Sequence, residues 1–298
     1  CFLAETGKCD AVIQIGPSQD DPCELRLCAN EKREQIISCA SSRYITGITY
    51  DTILKIIDYD KKYVVIGKPC DIEALINYTK LDVKLKKCIK YTMTFFCAGA
   101  PSKNATLKLA ENLGVQVDQI DSVRYRGNGW PGKATVTLKD KSERHMDYID
   151  SWNQILGRNI RKMCKFCVNG VGMYADISCG DLWNLDQNQR PEFTEEKGQN
   201  IIFARSKVGR DLLIEASNKG YVYLENYIKI DDLKYIQPNH YNMQTTMSGK
   251  IVGMKIVGCN LIPQYNIKNL FEASKEISKV KLMRTAMGTI KRKIKGSI

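Results

Sequence analysis

The chain has 298 residues, of which 43% are hydrophobic and 26% are charged, and its formal net charge is +12. A chain of this length and composition can bury a large core, which argues against intrinsic disorder. It contains no apolar run of about eighteen residues that could span a bilayer and no secretory signal peptide, so we expect a cytoplasmic protein. The motifs G-x-S-x-G, H-E-x-x-H and G-x-x-x-x-G-K-[ST] are absent, which argues against serine hydrolases, zincins and P-loop enzymes.

The first part of the chain alternates between strand and helix patterns. Residues 1–7 read as the end of a helix capped by Gly7, so we expect a further segment upstream. The strands predicted next are residues 11–16, 24–28, 63–67 and 89–96. The helices predicted between and after them are residues 50–58, 71–78 and 102–113. This alternation predicts an α/β (mixed α+β) fold with a partly parallel sheet and flanking helices, and ligands bind such sheets beyond the carboxyl ends of strands.

The middle of the chain reads as an inserted antiparallel meander over residues 120–140, because turn residues separate β-rich runs there. A helix near residues 148–156 follows. We then predict strands at residues 174–179, 200–204 and 221–224, a turn at Gly180-Asp181 and a helix at residues 209–219.

The C-terminal part is basic and helical in pattern. Its cations are Lys268, Lys275, Lys279, Lys281, Arg284, Lys291, Arg292, Lys293 and Lys295. Apolar residues recur among them at steps of three and four, which predicts an amphipathic helix. Such a helix can pack on the body of the protein, lie on an anionic membrane surface or dock an acidic ferredoxin-like donor. No nucleic-acid-binding motif accompanies it, which argues against nucleic-acid binding. We therefore expect a main domain over residues 1–230 and a basic helical extension over residues 231–298.

Twelve cysteines in a chain that is not exported point to metal ligation or redox chemistry. Cys164 and Cys167 form a C-x-x-C motif, and Cys70 and Cys97 follow predicted strands and could complete a four-thiolate shell. The same residues could instead make a structural zinc site, and a C-x-x-C alone can be a redox dithiol. Other cysteines in apolar surroundings are expected to be packing residues: Cys39, Cys88 and Cys259.

Several motifs occur together in a fixed order. They are Ser42-Arg-Tyr44, Gly67-Lys-Pro-Cys-Asp-Ile-Glu-Ala-Leu75, Phe96-Cys-Ala-Gly99, Gly129-Trp-Pro-Gly132, Cys164-Lys-Phe-Cys167, Ala175-Asp-Ile-Ser-Cys-Gly-Asp181 and Phe203-Ala-Arg-Ser-Lys-Val-Gly209. In this order, over roughly residues 10–225, the chain resembles the beta subunit of coenzyme F420 hydrogenase and dehydrogenase.

The resemblance implies an FAD- and [4Fe–4S]-dependent oxidoreductase that passes electrons between the cluster and a hydride acceptor or donor. That small molecule would be the deazaflavin coenzyme F420 or another compound. A general FAD and iron–sulfur oxidoreductase is favoured over an enzyme specific for the deazaflavin. The cluster ligands carried over by position are Cys70, Cys97, Cys164 and Cys167. Cys179 is not expected to be a fifth ligand. The chain lacks a C-x-x-C-x-x-C run, so electrons would come from a ferredoxin or a partner subunit.

The candidate FAD contacts are Ser42, Arg43, Tyr44, Lys68, Ile177, Gly180, Asp181, Arg205 and Ser206. Hydroxyls and cations among them suit a pyrophosphate, which needs donors and positive charge. Each also has an ordinary structural explanation: Arg43 as a solvated charge, Gly180-Asp181 as a strand-ending turn, and Arg205 as an edge-strand charge. The alternative function is a zinc-stabilised or cofactor-free interaction protein that binds a partner or a membrane surface through its basic tail.

Overall fold

The computed structural model describes residues 1–45, 50–259 and 262–298. The described chain divides into two compact units. The first unit comprises Cys1–Asn159, Val171–Leu182 and Phe193–Tyr227. The second unit comprises Ile160–Gly170, Trp183–Glu192 and Ile228–Ile298.

The first unit contains two sheets. Its strands are β1 (Ala11–Pro17), β2 (Leu25–Asn30), β3 (Tyr63–Gly67), β4 (Ile89–Phe95), β5 (Ile120–Arg124), β6 (Lys133–Leu138), β7 (Glu143–Asp147), β8 (Ile177–Asp181) and β9 (Asn200–Ala204). The larger sheet has the order β2-β1-β3-β4-β8-β9. Strands β1, β3, β4 and β8 run parallel, and β2 and β9 pair antiparallel at the two edges. This confirms the predicted α/β fold with a mixed sheet.

Helices of the first unit pack against the two sheets. They are α1 (Phe2–Glu5), α2 (Arg33–Ser38), α3 (Tyr50–Ile56), α4 (Pro69–Thr79), α5 (Val83–Cys88), α6 (Lys103–Asn112), α7 (Tyr148–Asp150), which continues as a π-helical turn (Ser151–Leu156), and α8 (Lys207–Asn218). Helix α6 and the π-helical turn contribute buried residues to the core beside β5 and β6. Neighbouring strand residues point to opposite faces, and Ile13 and Val12 accordingly belong to different core clusters. Ile13 packs with Ile72 of α4, whereas Val12 packs with Leu212 of α8. Because both faces are covered, β3 is apolar along its length.

Strands β5, β6 and β7 form a separate three-stranded antiparallel sheet, which confirms the predicted meander. Short 3-10 turns at Val117–Gln119 and Gly157–Asn159 flank this part of the chain. Val136 of β6 is fully buried and packs against Ala105 of α6. The meander is therefore part of the hydrophobic core of the first unit.

The second unit is mainly helical. It contains α9 (Leu233–Ile236), α10 (Pro238–Ile256), α11 (Ile267–Ser274) and α12 (Lys279–Ile294), with 3-10 turns at Lys162–Phe166 and Ile230–Asp232. Gly249 and Gly253 let α12 approach α10 closely, because a Cβ there would lie 2.8 Å from the carbonyl oxygen of Leu282 and 2.6 Å from that of Ala286. The amphipathic helix predicted at the C-terminus is thus present as α12. No helix within the described ranges is both long and apolar enough to cross a membrane.

Three local predictions were wrong. Strand β8 begins three residues later than predicted, because Asp176 bonds to Thr92 and Ser206 instead. Gly180 and Asp181 are strand residues paired with β9 and do not form a turn. Residues 221–224 form no strand, and Tyr223 and Leu224 are exposed there, where the sheet offers no partner.

Candidate functional site

The carboxyl ends of β3 and β4 place two of the predicted cluster ligands at one edge of the sheet. Gly67 and Thr94 are paired in register, and Cys70 and Cys97 each come three residues later. Helix α4 begins at Pro69, one residue before Cys70, which leaves Cys70 exposed in its first turn. Cys97 is half-buried. The sequence prediction that both cysteines follow the carboxyl ends of strands is confirmed.

Lys68 is fixed beside Cys70 by an ion pair. It is the N-cap of α4, and its Nζ lies 2.6 Å from Oδ2 of Asp71. The same oxygen accepts a hydrogen bond from the backbone N–H of Lys68 at 3.2 Å. The two side chains are only 13% and 15% exposed. An acidic residue in the first turn of a helix stabilises its N-terminal end. Asp71 therefore stabilises the start of α4 and orients the ammonium group of Lys68.

Asp181, at the carboxyl end of β8, binds the guanidinium of Arg126 in a bidentate pair with N–O distances of 2.7 and 2.9 Å. Arg126 also donates to the carbonyl of Pro131 at 2.8 Å, and the indole N–H of Trp130 donates to Asp181 at 3.0 Å. The Arg126 side chain is 10% exposed. Bidentate pairs of this kind fix direction as well as charge, so Asp181 is held rigidly.

Two tyrosines adjoin this pair. The hydroxyl of Tyr44 hydrogen-bonds to Ser42 and to Tyr148, and burial raises the pKa of both tyrosines. The guanidinium of Arg126 lies 4.9 Å from the ring centroid of Tyr148. Three predicted FAD contacts, Ser42, Tyr44 and Asp181, therefore share one polar and aromatic cluster at the same sheet edge.

Glu195 supports this cluster from the chain segment before β9. Its carboxylate accepts hydrogen bonds from the backbone N–H groups of Trp130 and Gly132, the latter at 3.0 Å. A Cβ at Gly129 would overlap that carboxylate, so only glycine fits there. Arg126 and Glu195 were missed by sequence reasoning. The sequence signal for this part of the site was the glycine-rich Trp-Pro turn. That motif predicted the loop, but it did not predict the side chains that bind the loop.

Arg205 and Ser206 lie at the other end of the sheet. Both follow β9, which runs antiparallel to β8, so they adjoin the amino end of β8. Ser206 caps α8 and donates to Asp176 at 2.6 Å. Arg205 donates to the carbonyl of Val171 at 2.9 Å and lies 4.4 Å from the ring centroid of Phe203. These contacts are structural, and the sheet does not bring the two residues to the edge that carries Asp181.

Ile177 and Gly180 are accounted for by packing. Ile177 is buried in the core cluster that contains Val64 and Leu212. At Gly180 a Cβ would overlap the ring of Phe96, so the glycine makes room for that ring. The neighbouring Cys179 is surrounded by core, and burial raises the pKa of its thiol to about 11.

The C-x-x-C pair lies in the second unit on a 3-10 turn (Lys162–Phe166), in which the N–H of Cys167 donates to the carbonyl of Cys164 at 3.3 Å. Both cysteines are half-buried. Phe166 between them is anchored in a core cluster with Met247 and Leu270. The turn therefore presents its two thiols from a fixed backbone.

Side chains from α10 and from the loop before α11 bind the backbone of this part of the chain. Lys250 of α10 donates to the carbonyl of Lys165 at 2.9 Å, and the hydroxyl of Tyr265 donates to the carbonyl of Phe166. Gln244 donates to the carbonyl of Val168 at 3.2 Å. Burial, with a smaller contribution from Arg292, lowers the pKa of Lys250 to about 8.

The donor chemistry of the four predicted cysteines fits an iron–sulfur cluster, since thiolates are its usual ligands. Within residues 1–45, 50–259 and 262–298, no group of three or more histidine, cysteine or acidic side chains is arranged to hold a metal ion. The two cysteine pairs are placed by separate units.

Comparison with known proteins identifies the class. The family defined by the C terminus of the beta subunit of coenzyme F420 hydrogenase/dehydrogenase matches residues 60–230. The match covers more than half of the chain, so this chain belongs to that family. This confirms the resemblance seen in its motifs.

Individual relatives agree with the family. The chain is 25% identical over 224 residues to the F420-dependent formate dehydrogenase subunit beta of Methanocaldococcus jannaschii, covering 75% of this chain and 54% of the relative. It is also 25% identical over 222 residues to F420-dependent formate dehydrogenase 1 subunit beta of Methanococcus maripaludis, covering 74% and 54%. The chain thus spans about half the length of these curated relatives.

A solved structure of the F420-reducing [NiFe] hydrogenase complex from Methanosarcina barkeri contains a chain of the same fold. The TM-score is 0.62 at 18% sequence identity, and the match covers 90% of this chain and 87% of that chain. At this identity the match supports the fold alone.

Proposed function

We propose that this chain is an oxidoreductase that holds FAD and one [4Fe–4S] cluster and passes electrons between the cluster and a small-molecule hydride acceptor or donor. The observation that carries the proposal is the placement of two cysteine pairs, each on a fixed backbone, in a chain of this family. The proposed cluster ligands are Cys70, Cys97, Cys164 and Cys167.

The proposed flavin site is the carboxyl edge of the larger sheet. Lys68 supplies a cation at the start of α4, and Ser42, Tyr44 and Asp181 supply polar groups in the cluster around Arg126. Bound FAD would couple the single-electron transfers of the cluster to the two-electron transfer of a hydride. The role of these side chains is to orient the flavin and to balance the charge of its pyrophosphate. Arg205 and Ser206 bind Val171 and Asp176 at the other end of the sheet, so we do not include them in this site.

The names of the relatives favour F420 as the hydride partner, because both are described as F420-dependent. Both are also described as beta subunits, which supports a partner subunit as the source or destination of electrons. We propose such a subunit in preference to a ferredoxin.

We also propose that α12 rests on an anionic membrane surface. Its outer residues Val280, Met283, Met287 and Ile294 are exposed although apolar. Seven cations and no acidic residue lie between Lys279 and Lys295, which follows the helix directly. Five of the seven are lysines. Lysine is depleted in protein–protein interfaces, whereas amphipathic helices that lie on anionic lipid are rich in it.

Vesicle sedimentation tests this proposal. The chain should sediment with vesicles containing phosphatidylglycerol and remain in solution with pure phosphatidylcholine. The double variant Met283→Ser/Met287→Ser should lose binding, whereas Val252→Ser, an exposed apolar change on α10, should retain it. Failure of the unchanged protein to sediment with anionic vesicles would refute the proposal and leave an acidic protein as the partner of this face.

The principal test is an absorption spectrum of anaerobically purified protein before and after dithionite, with iron, sulfide and flavin assayed on the same sample. The proposal predicts flavin bands and a broad iron–sulfur absorption that both bleach. A colourless protein that remains so after cluster reconstitution and addition of FAD, and that contains zinc, would support the interaction-protein alternative instead.

A further inference from the structure

A second group of thiols lies at the β2 edge of the larger sheet, apart from the four proposed cluster ligands. Cys28 is in β2, and Cys39 directly follows α2. Both sulfur atoms converge on Gly16 of β1. A Cβ at Gly16 would lie 2.7 Å from Sγ of Cys39 and 3.1 Å from Sγ of Cys28. The space above this glycine is therefore occupied by two adjacent sulfurs.

The two thiols interact directly and differ in their surroundings. Cys28 is half-buried and hydrogen-bonds to Cys39, which is 8% exposed. The side-chain amide of Asn30 donates to Sγ of Cys39 at 3.3 Å. Burial, together with the contact with Cys39, raises the pKa of Cys28. Cys39 is thus the acceptor of two donors, and Cys28 is the thiol that solvent reaches.

Arg43 adds a buried cation to the same group. Its ordinary structural explanation was a solvated surface charge, but it is half-buried, and its Nε has no hydrogen-bond partner among the described residues. Burial lowers the pKa of Arg43, and the nearby charge of Cys39 is the largest opposing influence. Arg43 thus places a positive charge near the two sulfurs, where thiol–disulfide exchange develops negative charge.

We propose that Cys28 and Cys39 form a redox-active dithiol that closes to a disulfide by exchange with a low-molecular-weight disulfide. Cys28, the thiol that solvent reaches, gives up its proton and attacks the small disulfide. This forms a mixed disulfide and releases one small thiolate, which takes up that proton. The Cys39 thiolate then attacks Sγ of Cys28, which forms the Cys28–Cys39 bond and releases the second small thiol. Two protein thiols are oxidised and one small disulfide is reduced to two thiols. This proposal does not rest on the FAD and cluster proposal, although Arg43 lies between Ser42 and Tyr44 of the proposed flavin site.

The test uses the full-length chain and oxidised glutathione. Trypsin separates the two cysteines into peptides 27–32 and 34–43, each with a single cysteine. After brief oxidation and alkylation, mass spectrometry should find these peptides linked to each other, and the link should disappear on reduction. Phenylarsine oxide, which bridges adjacent thiols, should protect both cysteines from alkylation in the reduced protein.

Matched variants separate proximity from general thiol reactivity. Cys39→Ser should keep a stable glutathione adduct on Cys28, and Cys259→Ser should still form the link. Gly16→Ala retains both thiols but fills the space they share, so it should form the link more slowly. Arg43→Gln should slow closure by roughly fivefold, and Arg43→Lys should restore most of it.

Two results would overturn the proposal. One is that the unchanged protein accumulates a glutathione adduct on Cys28 while Cys39 stays open to alkylation. The other is that phenylarsine oxide protects neither cysteine. In both cases the two thiols would be packing residues, as expected for Cys39 from the sequence.

Discussion

The two cysteine pairs proposed as cluster ligands are held by different kinds of structure. Cys70 and Cys97 follow neighbouring parallel strands whose register, Gly67 beside Thr94, sets their positions. Cys164 and Cys167 lie on a short 3-10 turn outside both sheets. The first pair depends on backbone pairing in a sheet that is buried on both faces. The second depends on side chains that bind the carbonyls of its turn.

The side chains that bind the C-x-x-C turn come from late in the chain. Lys250 and Tyr265, which donate to its carbonyls, lie beyond residue 230, where the match to the family ends. A short turn has little stability of its own. The C-terminal part of the chain therefore helps to hold the second pair in place, although the motifs of the family do not include it.

The largest expected effect is that of removing a ligand. Cys70→Ser and Cys167→Ser should each abolish the iron and sulfide content, because a four-thiolate cluster is lost when one ligand is missing. Cys259→Ser should retain both. Iron and sulfide assays on anaerobically reconstituted protein measure this. Full retention in either of the first two variants would contradict the ligand assignment for that pair.

The sequence predicted the first pair better than the second for a physical reason. The strand before Cys70 is a buried apolar run, and the alternation of strands and helices places its carboxyl end beside that of the next strand. The C-x-x-C spacing predicted the second pair. It did not predict the contacts of Lys250 and Tyr265 with the turn, because these residues are distant from it in sequence. Such long-range side-chain contacts leave no local pattern.

The same limit explains what was missed near Asp181. Its contact with Arg126 joins positions 55 residues apart in the chain. Gly180-Asp181 was expected to form a turn from its composition, but pairing with β9 overrides that local preference.

Acid should weaken the helix that binds the second pair. His240 of α10 is 7% exposed, and burial lowers its pKa from 6.5 to about 4. The unfolded chain therefore binds a proton before the folded chain does, so stability falls as the pH drops from 6.5 towards 4. The loss should reach about 2 kcal/mol by pH 5. Urea unfolding at pH 7 and pH 5 should show this extra loss in the unchanged protein but not in His240→Gln.

Removing the lysine that binds the turn should have a somewhat smaller effect. Lys250→Met leaves the carbonyl of Lys165 without this donor, which should cost about 1–2 kcal/mol in stability and reduce iron retention after gel filtration. Lys255→Met, an exposed change on the same helix, is the matched control and should change neither. Equal iron retention in both variants would show that the turn does not depend on this contact.

The smallest effect should appear in the first region, at Lys68. Its ammonium is oriented by Asp71 beside Cys70 and is proposed to balance the charge of the flavin pyrophosphate. Lys68→Met should therefore weaken FAD binding by about tenfold, measured by flavin fluorescence titration, because one charge-assisted contact is lost. The sheet register should be unaffected, so iron content should stay close to that of the unchanged protein. Lys62→Met, an exposed change before β3, is the control. If Lys68→Met instead lost iron and bound FAD normally, the ammonium would serve the cluster edge, and the sheet region, like the turn, would depend on a single side-chain cation.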